Sequence, residues 1–192
     1  MQKIILASQS PRRKQLLEWA EIPFDILVKN TDETYPAAMA VEEVPVHIAR
    51  NKALAIAELI KPDHSTTKPV ILAADTVVVL DDTIIGKPKD RQDAVDILLA
   101  LSGQTHRVIT GVVLLHSAGE TAFADITEVS FNPLSRQQIE FYVDKYQPFD
   151  KAGAYAIQEW IGVTGIKHIN GDFYNVMGLP VNRVVQALAA LQ

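Results

Sequence analysis

The chain contains 192 residues, of which 48% are hydrophobic and 21% are charged, a composition typical of a globular domain with a sizeable core. A formal net charge of −5 argues against a general nucleic-acid-binding surface, and no apolar run is long enough to span a membrane. The absence of cysteine excludes disulfides, thiol nucleophiles and thiolate metal sites, and with no recognisable signal peptide it favours a cytoplasmic protein.

The first predicted elements are a buried strand over residues 3–7 and a helix that begins after it. Ser10 suits the N-cap of this helix and Pro11 its first position. Arg12 and Arg13 then fall in the first turn, where the helix dipole disfavours positive charge, and on the face that turns inward. The apolar residues of that face are Leu16, Leu17, Trp19 and Ala20. We predict that the arginines and the helix N-terminus bind a phosphate group; the alternative is a solvated arginine pair.

The following segments alternate between strand and helix patterns. In chain order, the pattern predicts a strand over 24–28, a polar loop over 29–38, a helix over 44–60 stopped by Pro62, a strand over 70–80, a turn at Asp81 and Asp82, and a strand over 83–85. It then predicts a helix over 90–101, strands over 105–116 and 121–131, a helix from a capping box at Ser135 and Gln138 to about 144, a strand over 166–169 and a helix over 181–191. Because this alternation has no regular βαβ rhythm, we predict an α/β fold with a mixed sheet.

Asp75 is unusual because it lies inside the apolar run of the long predicted strand. Strand alternation puts it on the same face as Ala73 and Val77. An ionised carboxylate there is costly unless a cation, a metal ion or hydrogen bonds compensate it, so we favour a functional role over a structural one. Thr76 faces the opposite side, and the two residues serve one site only if the strand bulges or ends there.

Lys52 is the second unusual residue, because it falls in the middle of the apolar stripe of the helix over 44–60. The functional interpretation is an ammonium group that reaches a buried anion. The alternative is a lysine whose aliphatic stem covers apolar surface while its charge stays in water.

Charged loop residues extend these features to a set that fits polyphosphate chemistry. The set comprises Arg12, Arg13, Asp32, Glu33, Lys52, Asp75 and Lys87. Cations neutralise phosphate oxygens, while carboxylates hold a hard metal ion or deprotonate water. The chain has no Walker A, G-x-G-x-x-G, H-E-x-x-H or G-x-S-x-G motif, and its five histidines lack metal-ligand spacing.

Eight segments distributed along the chain carry a family resemblance. They are 6–13 (LASQSPRR), 32–33 (DE), 50–53 (RNKA), 74–77 (ADTV), 86–88 (GKP), 101–105 (LSGQT), 150–158 (DKAGAYAIQ) and 171–180 (GDFYNVMGLP). Together, in this order, they resemble the Maf family of nucleoside triphosphate pyrophosphatases over essentially the whole chain. LASQSPRR and DKAGAYAIQ are the most specific, and Phe173 and Met177 are mild departures from the family pattern.

The resemblance implies hydrolysis of a nucleoside triphosphate to the monophosphate and pyrophosphate, with a divalent metal ion such as Mg²⁺ or Mn²⁺. It also implies one domain over residues 1–192, similar to inosine triphosphatases, with a mixed central sheet, flanking helices and two lobes around a nucleotide cleft. The SPRR start and the glutamine that ends AIQ resemble the branch that acts on dTTP and UTP, and CTP is left open as a further substrate. Nucleotide house-cleaning is the expected role.

Site residues follow from the resemblance by position. Asp75 is implied as the proton acceptor, and the implied specificity positions are Arg12, Thr76 and Gln158. The remaining polar positions of the family cleft are matched by Ser8, Arg13, Glu33, Lys52 and Lys87, and the expected metal ligands are Glu33 and Asp75. The Gln158 amide offers a donor and an acceptor that match uracil or thymine, although a flipped amide also matches cytosine.

The expected partner is therefore a nucleoside triphosphate, with no nucleic acid and no membrane, and a homodimer is left open. A competing function is a non-catalytic nucleotide-binding regulator of cell division. The carboxylates disfavour it, because a pure binder of polyanions gains nothing from Asp75 and Glu33 unless they hold a metal ion. A purine-directed pyrophosphatase of similar fold is a weaker alternative.

Overall fold

The structure, a computed structural model, describes residues 3–60 and 69–191. The strands are β1 (Ile4–Leu6), β2 (Phe24–Ile26), β3 (Ile71–Leu80), β4 (Thr83–Ile85), β5 (Thr105–His116), β6 (Gly119–Phe131) and β7 (Ile166–Asn170). The helices are α1 (Pro11–Trp19), α2 (Val44–Leu59), α3 (Arg91–Leu101), α4 (Arg136–Tyr146), α5 (Trp160–Gly165), α6 (Phe173–Met177) and α7 (Val181–Ala189), with a short 3₁₀ helix at Ala152–Ala154. Within the described ranges, no helix combines the length and the apolar character needed to cross a membrane.

The strands form one mixed sheet of seven strands in the order β2–β1–β3–β5–β6–β7, with β4 paired to β3. β1 pairs in parallel with both β2 and β3, whereas β3–β4 and β6–β7 are antiparallel. The predicted α/β fold with a mixed sheet and flanking helices is therefore confirmed.

The predicted elements agree with the observed ones, and the differences concern short segments and one side chain. Ser10 caps α1 by accepting a hydrogen bond from the Arg13 amide, and Ser135 and Gln138 form the predicted capping box of α4. The sequence pattern does not predict the 3₁₀ helix, α5 or α6, because runs of three to six residues are too short to show a helical period. The predicted stop at Pro62 lies outside the described residues. The prediction that Trp19 faces inward is wrong: it is the last residue of α1 and is 58% exposed.

The chain groups into two compact units. The first comprises residues 1–75, 110–125 and 178–192, and the second comprises residues 76–109 and 126–177. The prediction of one domain with two lobes around a cleft stays a prediction.

The first unit begins with two βαβ connections. β1 leads through α1 to β2, and β2 leads through α2 to β3. Because both β2 and β3 pair in parallel with β1, the direction in which strands are added reverses at β1. In α/β sheets, ligands bind beyond the carboxyl ends of the strands at such a reversal. The topology therefore selects the residues that follow β1 and β2, together with those along β3, as a candidate binding site.

α2 packs closely on the sheet of the first unit through small residues. The contacting residues are Ala49, Ala53 and Ile56 of α2, Ile71 and Ala73 of β3, and Val113 of β5. A Cβ atom at Gly111 of β5 would lie 2.2 Å from the backbone nitrogen of Val46 and 2.3 Å from the carbonyl carbon of Pro45. The glycine thus permits the backbone of the first turn of α2 to lie directly against β5.

The second unit has its own core between helices and strands. α3 packs against α4 and against the 3₁₀ helix. The fully buried side chains of this core include Leu98, Leu101, Ile109, Ile139 and Tyr142. β3 and β4 are joined by Asp81 and Asp82, whose φ angles of 47° and 62° fit the two-residue turn predicted at this position.

A buried aromatic cluster in the second unit contains a histidine. His106 Nε2 lies 2.7 Å from the Tyr155 hydroxyl oxygen, and both rings pack edge-on against Phe131. His106 Nδ1 is buried and has no hydrogen-bond partner among the described residues. Burial lowers the pKa of His106 from its ordinary value of 6.5 to about 4 and raises the pKa of Tyr155, so both side chains stay neutral near pH 7.

His106 makes the free energy of unfolding depend on pH. Above pH 6.5 the imidazole is neutral in both the folded and the unfolded chain, so it contributes no pH dependence there. Between pH 6.5 and about 4 the unfolded chain binds a proton that the folded protein excludes, so stability falls as the pH falls. We expect His106 alone to remove up to about 1.4 kcal/mol per pH unit over this window.

Urea unfolding measured between pH 6.5 and about 4 tests whether His106 causes this loss of stability. His106→Gln keeps a polar group beside Tyr155 but removes the titrating imidazole, so its stability should fall less steeply with acid than that of the wild type. His168→Gln, the same change at an exposed position of β7, is the matched control. Equal slopes for the wild type and His106→Gln would contradict the assignment.

Candidate active site

The predicted site residues divide between the two units. Those in the first unit are Ser8, Arg12, Arg13, Glu33, Lys52 and Asp75. Those in the second unit are Thr76, Lys87 and Gln158. The first group lies where the topology predicts a ligand, since its members follow β1 and β2, begin α1, or lie on α2 and β3.

Lys52 joins two carboxylates. Its Nζ atom lies 2.7 Å from Asp75 Oδ1 and 2.7 Å from Glu33 Oε1. The lysine side chain is only 19% exposed. This arrangement supports the functional interpretation of Lys52 over the surface-covering one, because the ammonium group reaches the largely buried Asp75 carboxylate as well as the exposed Glu33 carboxylate.

Asp75 reaches Lys52 because of its register on β3. Ile71 and Ala73 contact α2, and alternation puts Asp75 on the same strand face as these two residues. Its side chain is 14% exposed, and the Lys52 ammonium supplies the cation that a carboxylate in an apolar strand requires. β3 runs without interruption from Ile71 to Leu80, so alternation directs Thr76 to the opposite face.

Arg13 is held in place from three sides. Its Nε donates to the Gly178 carbonyl oxygen at 2.8 Å, one terminal nitrogen donates to Ser8 Oγ at 3.2 Å, and its backbone amide donates to the Ser10 hydroxyl. The residue is 8% exposed, and Ser8 is also buried. Arg12, in the same turn, is half-buried. The prediction that Arg13 faces inward is confirmed, and hydrogen bonds to Gly178 and Ser8 hold its guanidinium group.

The charges of this group influence one another. Burial lowers the pKa of the Arg13 guanidinium, the negative charges of Asp75 and Glu33 raise it, and the positive charge of Arg12 lowers it. With Lys52 paired to both carboxylates, three cations and two carboxylates share one electrostatic environment. The surplus of positive charge favours a polyanion, and the carboxylates add groups that can bind a cation or accept a proton.

Glu33 and Asp75 fit a divalent metal ion only as part of its ligand set. Within residues 3–60 and 69–191, no three His, Asp or Glu side chains are grouped closely enough to form a metal site by themselves. Both carboxylates nevertheless contact the same cation, the Lys52 ammonium. Since Mg²⁺ is commonly held by one or two carboxylates, waters and substrate phosphates, this donor set fits a metal ion that arrives with a nucleotide.

The three residues of the second unit lie in different local settings. Thr76 is half-buried on β3, and Lys87 is exposed in the loop between β4 and α3. Gln158 is exposed in a tight turn in which the Glu159 amide donates to the Ala156 carbonyl oxygen at 3.1 Å. The prediction that these three residues serve the same site as the first group stays a prediction.

Sequence reasoning missed two structural supports. The Gly178 carbonyl, which accepts from Arg13, is 165 residues away along the chain, and no local pattern indicates this contact. Buried Lys151 lies 2.7 Å from Asp150 Oδ1 and 3.7 Å from Glu159 Oε1. The available signal was the specific segment DKAGAYAIQ, which contains Lys151, although its motif does not indicate a buried ion pair.

Comparisons with known proteins identify the family of this chain. The family model described as "Maf-like protein" matches residues 3–191. A dTTP/UTP pyrophosphatase of Cytophaga hutchinsonii is 50% identical over 185 residues, covering 96% of this chain and 82% of the relative. Proteins with the same name are 44% identical in Bacteroides thetaiotaomicron, covering 98% of this chain and 96% of the relative, and 46% identical in Porphyromonas gingivalis, covering 97% and 92%. Because the family model spans nearly the whole chain and these relatives are similar along their length, the chain belongs to the Maf family.

Proposed function

We propose that this protein hydrolyses nucleoside triphosphates, dTTP and UTP in particular, to the monophosphate and pyrophosphate. The observation that carries the proposal is the Lys52 ammonium held 2.7 Å from both Asp75 and Glu33, in the same group of charges as buried Arg13. The names of the relatives, dTTP/UTP pyrophosphatase, support the same reaction. Cytoplasmic nucleotide house-cleaning is the role that we propose for it.

Phosphate binding is the first task of the proposed site. The N-terminus of α1 and the guanidinium groups of Arg12 and Arg13 bind the phosphate oxygens. The triphosphate also offers the Lys52 ammonium new anionic partners, so Lys52 can transfer from the carboxylates to a phosphate. Lys87 adds a further cation for the phosphates. A divalent ion held by Glu33 and Asp75 supplies additional neutralisation of the triphosphate charge when it is bound.

Bond cleavage is the second task. A water molecule attacks the α-phosphorus, its proton passes to the Asp75 carboxylate, and the bond from the α-phosphorus to the oxygen that bridges to the β-phosphate breaks. Pyrophosphate leaves with the electron pair of that bond. Arg13 and Lys52 stabilise the charge that accumulates on the phosphates, and Arg13 needs little reorganisation because Ser8 and Gly178 already hold it.

Base selection is the third task, and we assign it to Gln158 and Arg12. The resemblance also implies Thr76 as a specificity position, but alternation along uninterrupted β3 directs Thr76 away from the face of Asp75, so we give it no contact with the base. The Gln158 amide can accept from N3–H and donate to O4 of uracil or thymine. CTP presents the reversed pattern, which a flipped amide satisfies, so we propose CTP as a weaker substrate. A nucleotide-binding regulator of cell division without turnover remains the alternative function, and an assay of turnover separates the two.

The products formed from UTP test the reaction. We expect UMP and pyrophosphate in equal amounts when the protein is incubated with UTP and Mg²⁺ or Mn²⁺, because the proposed attack is at the α-phosphorus. Ion-exchange chromatography with a pyrophosphate assay resolves the products. UDP with orthophosphate would place the attack at the γ-phosphorus, and unchanged UTP under all metal conditions would favour the binding-only function.

Asp75→Asn tests the proposed proton acceptor, because it preserves size and removes the charge. We expect kcat to fall by at least about a hundredfold, the scale of losing a general base, while nucleotide binding measured by calorimetry persists through the arginines. Asp82→Asn is the matched control, since Asp82 is also ion-paired but lies in the exposed turn after the same strand. Near-normal kcat in folded Asp75→Asn would show that the carboxylate is only structural.

Lys52→Met tests the proposed phosphate contact. It removes the ammonium between two carboxylates, so we expect the free energy of unfolding to fall by about 1–3 kcal/mol, less than for a fully buried pair. We also expect kcat/KM to fall by an amount equivalent to about 2–4 kcal/mol of transition-state stabilisation. Lys29→Met, which breaks the exposed pair with Glu58, is the control for losing a salt bridge. The phosphate role is refuted if Lys52→Met destabilises the protein but keeps the wild-type kcat/KM.

A further inference from the structure

The turn that carries Gln158 differs from an ordinary exposed turn. It is closed by the hydrogen bond from the Glu159 amide to the Ala156 carbonyl oxygen. Ala156 and Ile157 are buried, whereas Gln158 is exposed. Gln158 is therefore the residue that this turn presents to solvent, and the backbone on either side of it determines where its amide points.

One buried hydroxyl group holds both ends of the turn. Tyr142, on α4, is fully buried, and its hydroxyl oxygen accepts a hydrogen bond from the Ala156 amide at 3.1 Å. The same hydroxyl donates to the Glu159 carboxylate at Oε2. Ala156 and Glu159 are the first and last residues of the turn, so a single side chain from a helix fixes the span on which Gln158 lies.

Two further contacts restrict the same segment. Glu159 Oε1 lies 3.7 Å from the buried Lys151 ammonium, which holds the carboxylate in the position that Tyr142 uses. A Cβ atom at Gly162 would lie 1.7 Å from the Ile157 carbonyl oxygen, so the backbone of α5 lies directly against the turn. The turn is thus constrained by α4, by Lys151 and by α5.

This arrangement is a costly way to stabilise a fold. Buried charged and hydroxyl groups are often no better for stability than apolar residues of the same volume, because their desolvation offsets the pairing energy. Such a network does hold the backbone of the turn in a defined orientation, because hydrogen bonds form only over a narrow range of distances and angles. This network is therefore better explained by the residue that it orients, Gln158, than by its contribution to stability.

We propose that Tyr142 is a positioning residue for base selection: its hydroxyl group fixes the 156–159 turn, so that the Gln158 amide is aligned before a nucleotide binds. The inference rests on the proposed function and on the assignment of Gln158 to the base. Tyr142 itself does not touch the substrate. Its loss therefore affects discrimination between bases more than turnover of the phosphate groups.

The test is a double-mutant cycle between Tyr142→Phe and Gln158→Ala. The measured quantity is the ratio of kcat/KM for UTP to kcat/KM for GTP in the wild type, both single variants and the double variant. We expect Tyr142→Phe to lower this ratio by about tenfold, mainly through KM for UTP, because the Ala156 amide loses its acceptor and the turn loses its alignment. Gln158→Ala should lower the ratio at least as much, and Tyr142→Phe should change it by less than about twofold in that background.

Matched variants separate positioning from general damage. Tyr146→Phe makes the same change one turn further along α4, where the centroid of the Tyr146 ring lies 5.0 Å from that of the stacked Tyr142 ring. This variant should keep the wild-type ratio. Glu159→Gln preserves an acceptor for Tyr142 but loses the charge that faces Lys151, so its ratio should fall between those of the wild type and Tyr142→Phe. Urea unfolding establishes which variants are folded. If Tyr142→Phe is unfolded, the ratio measured for Glu159→Gln tests the positioning role of Tyr142 instead.

The outcomes distinguish this inference from the proposed function. The inference is overturned if Tyr142→Phe keeps the wild-type ratio, or if it lowers the ratio equally with and without Gln158. If Tyr142→Phe is unfolded, an unchanged ratio in Glu159→Gln overturns it. A wild-type protein that hydrolyses UTP and GTP equally would overturn the base-selection proposal and this inference with it, whereas absence of pyrophosphate would overturn the proposed reaction.

Discussion

The pairing of Lys52 with Asp75 and Glu33 is the interaction on which the candidate site depends. Without the ammonium group, Asp75 would be an uncompensated carboxylate on an otherwise apolar strand face, which is costly. The pairing also joins three separate parts of the chain: α2, β3 and the segment after β2. The pairing can be exchanged on binding: a polyphosphate can replace the carboxylates as the partner of the lysine, and a metal ion can replace the lysine as the partner of the carboxylates.

The topology explains why these segments meet. β1 is paired in parallel on both sides, and the strand order reverses there, so the residues that follow β1 and β2 converge with β3. Ser8 lies in the β1–α1 connection and Arg13 in the first turn of α1, whose N-terminus adds its own partial positive charge. Close packing of α2 on the sheet, permitted by Gly111, places Lys52 opposite Asp75. The position of the charged side chains therefore depends on the same two features as the fold: the parallel pairing of β1 with both of its neighbours, and the close packing of α2 against the sheet.

Much of this arrangement could be predicted from single residues that break a local pattern. Lys52 interrupts an apolar helix stripe and Asp75 an apolar strand, and each anomaly indicates a partner without identifying it. The identity of the partner is tertiary information, as is the contact from Tyr142 to Glu159, which no sequence periodicity encodes. The helical pattern predicts that Trp19 faces inward, but this residue is exposed, because helical periodicity shows which face of a helix turns inward but not how far along the helix other residues pack against that face. α5 and α6 are missed because they are shorter than the period that would reveal them.

The hydrogen bond from Arg13 to the Gly178 carbonyl has a consequence for the order of events during synthesis. A nascent chain that extends as far as Asp75 already contains every member of the first-unit charge group, yet it lacks the acceptor that fixes the arginine. Closing a loop of this length is slow and cannot precede translation of its second end. Arg13 therefore gains this acceptor only in the nearly complete polypeptide. Premature termination between residues 76 and 177 leaves the charge group incompletely organised although it deletes none of its members.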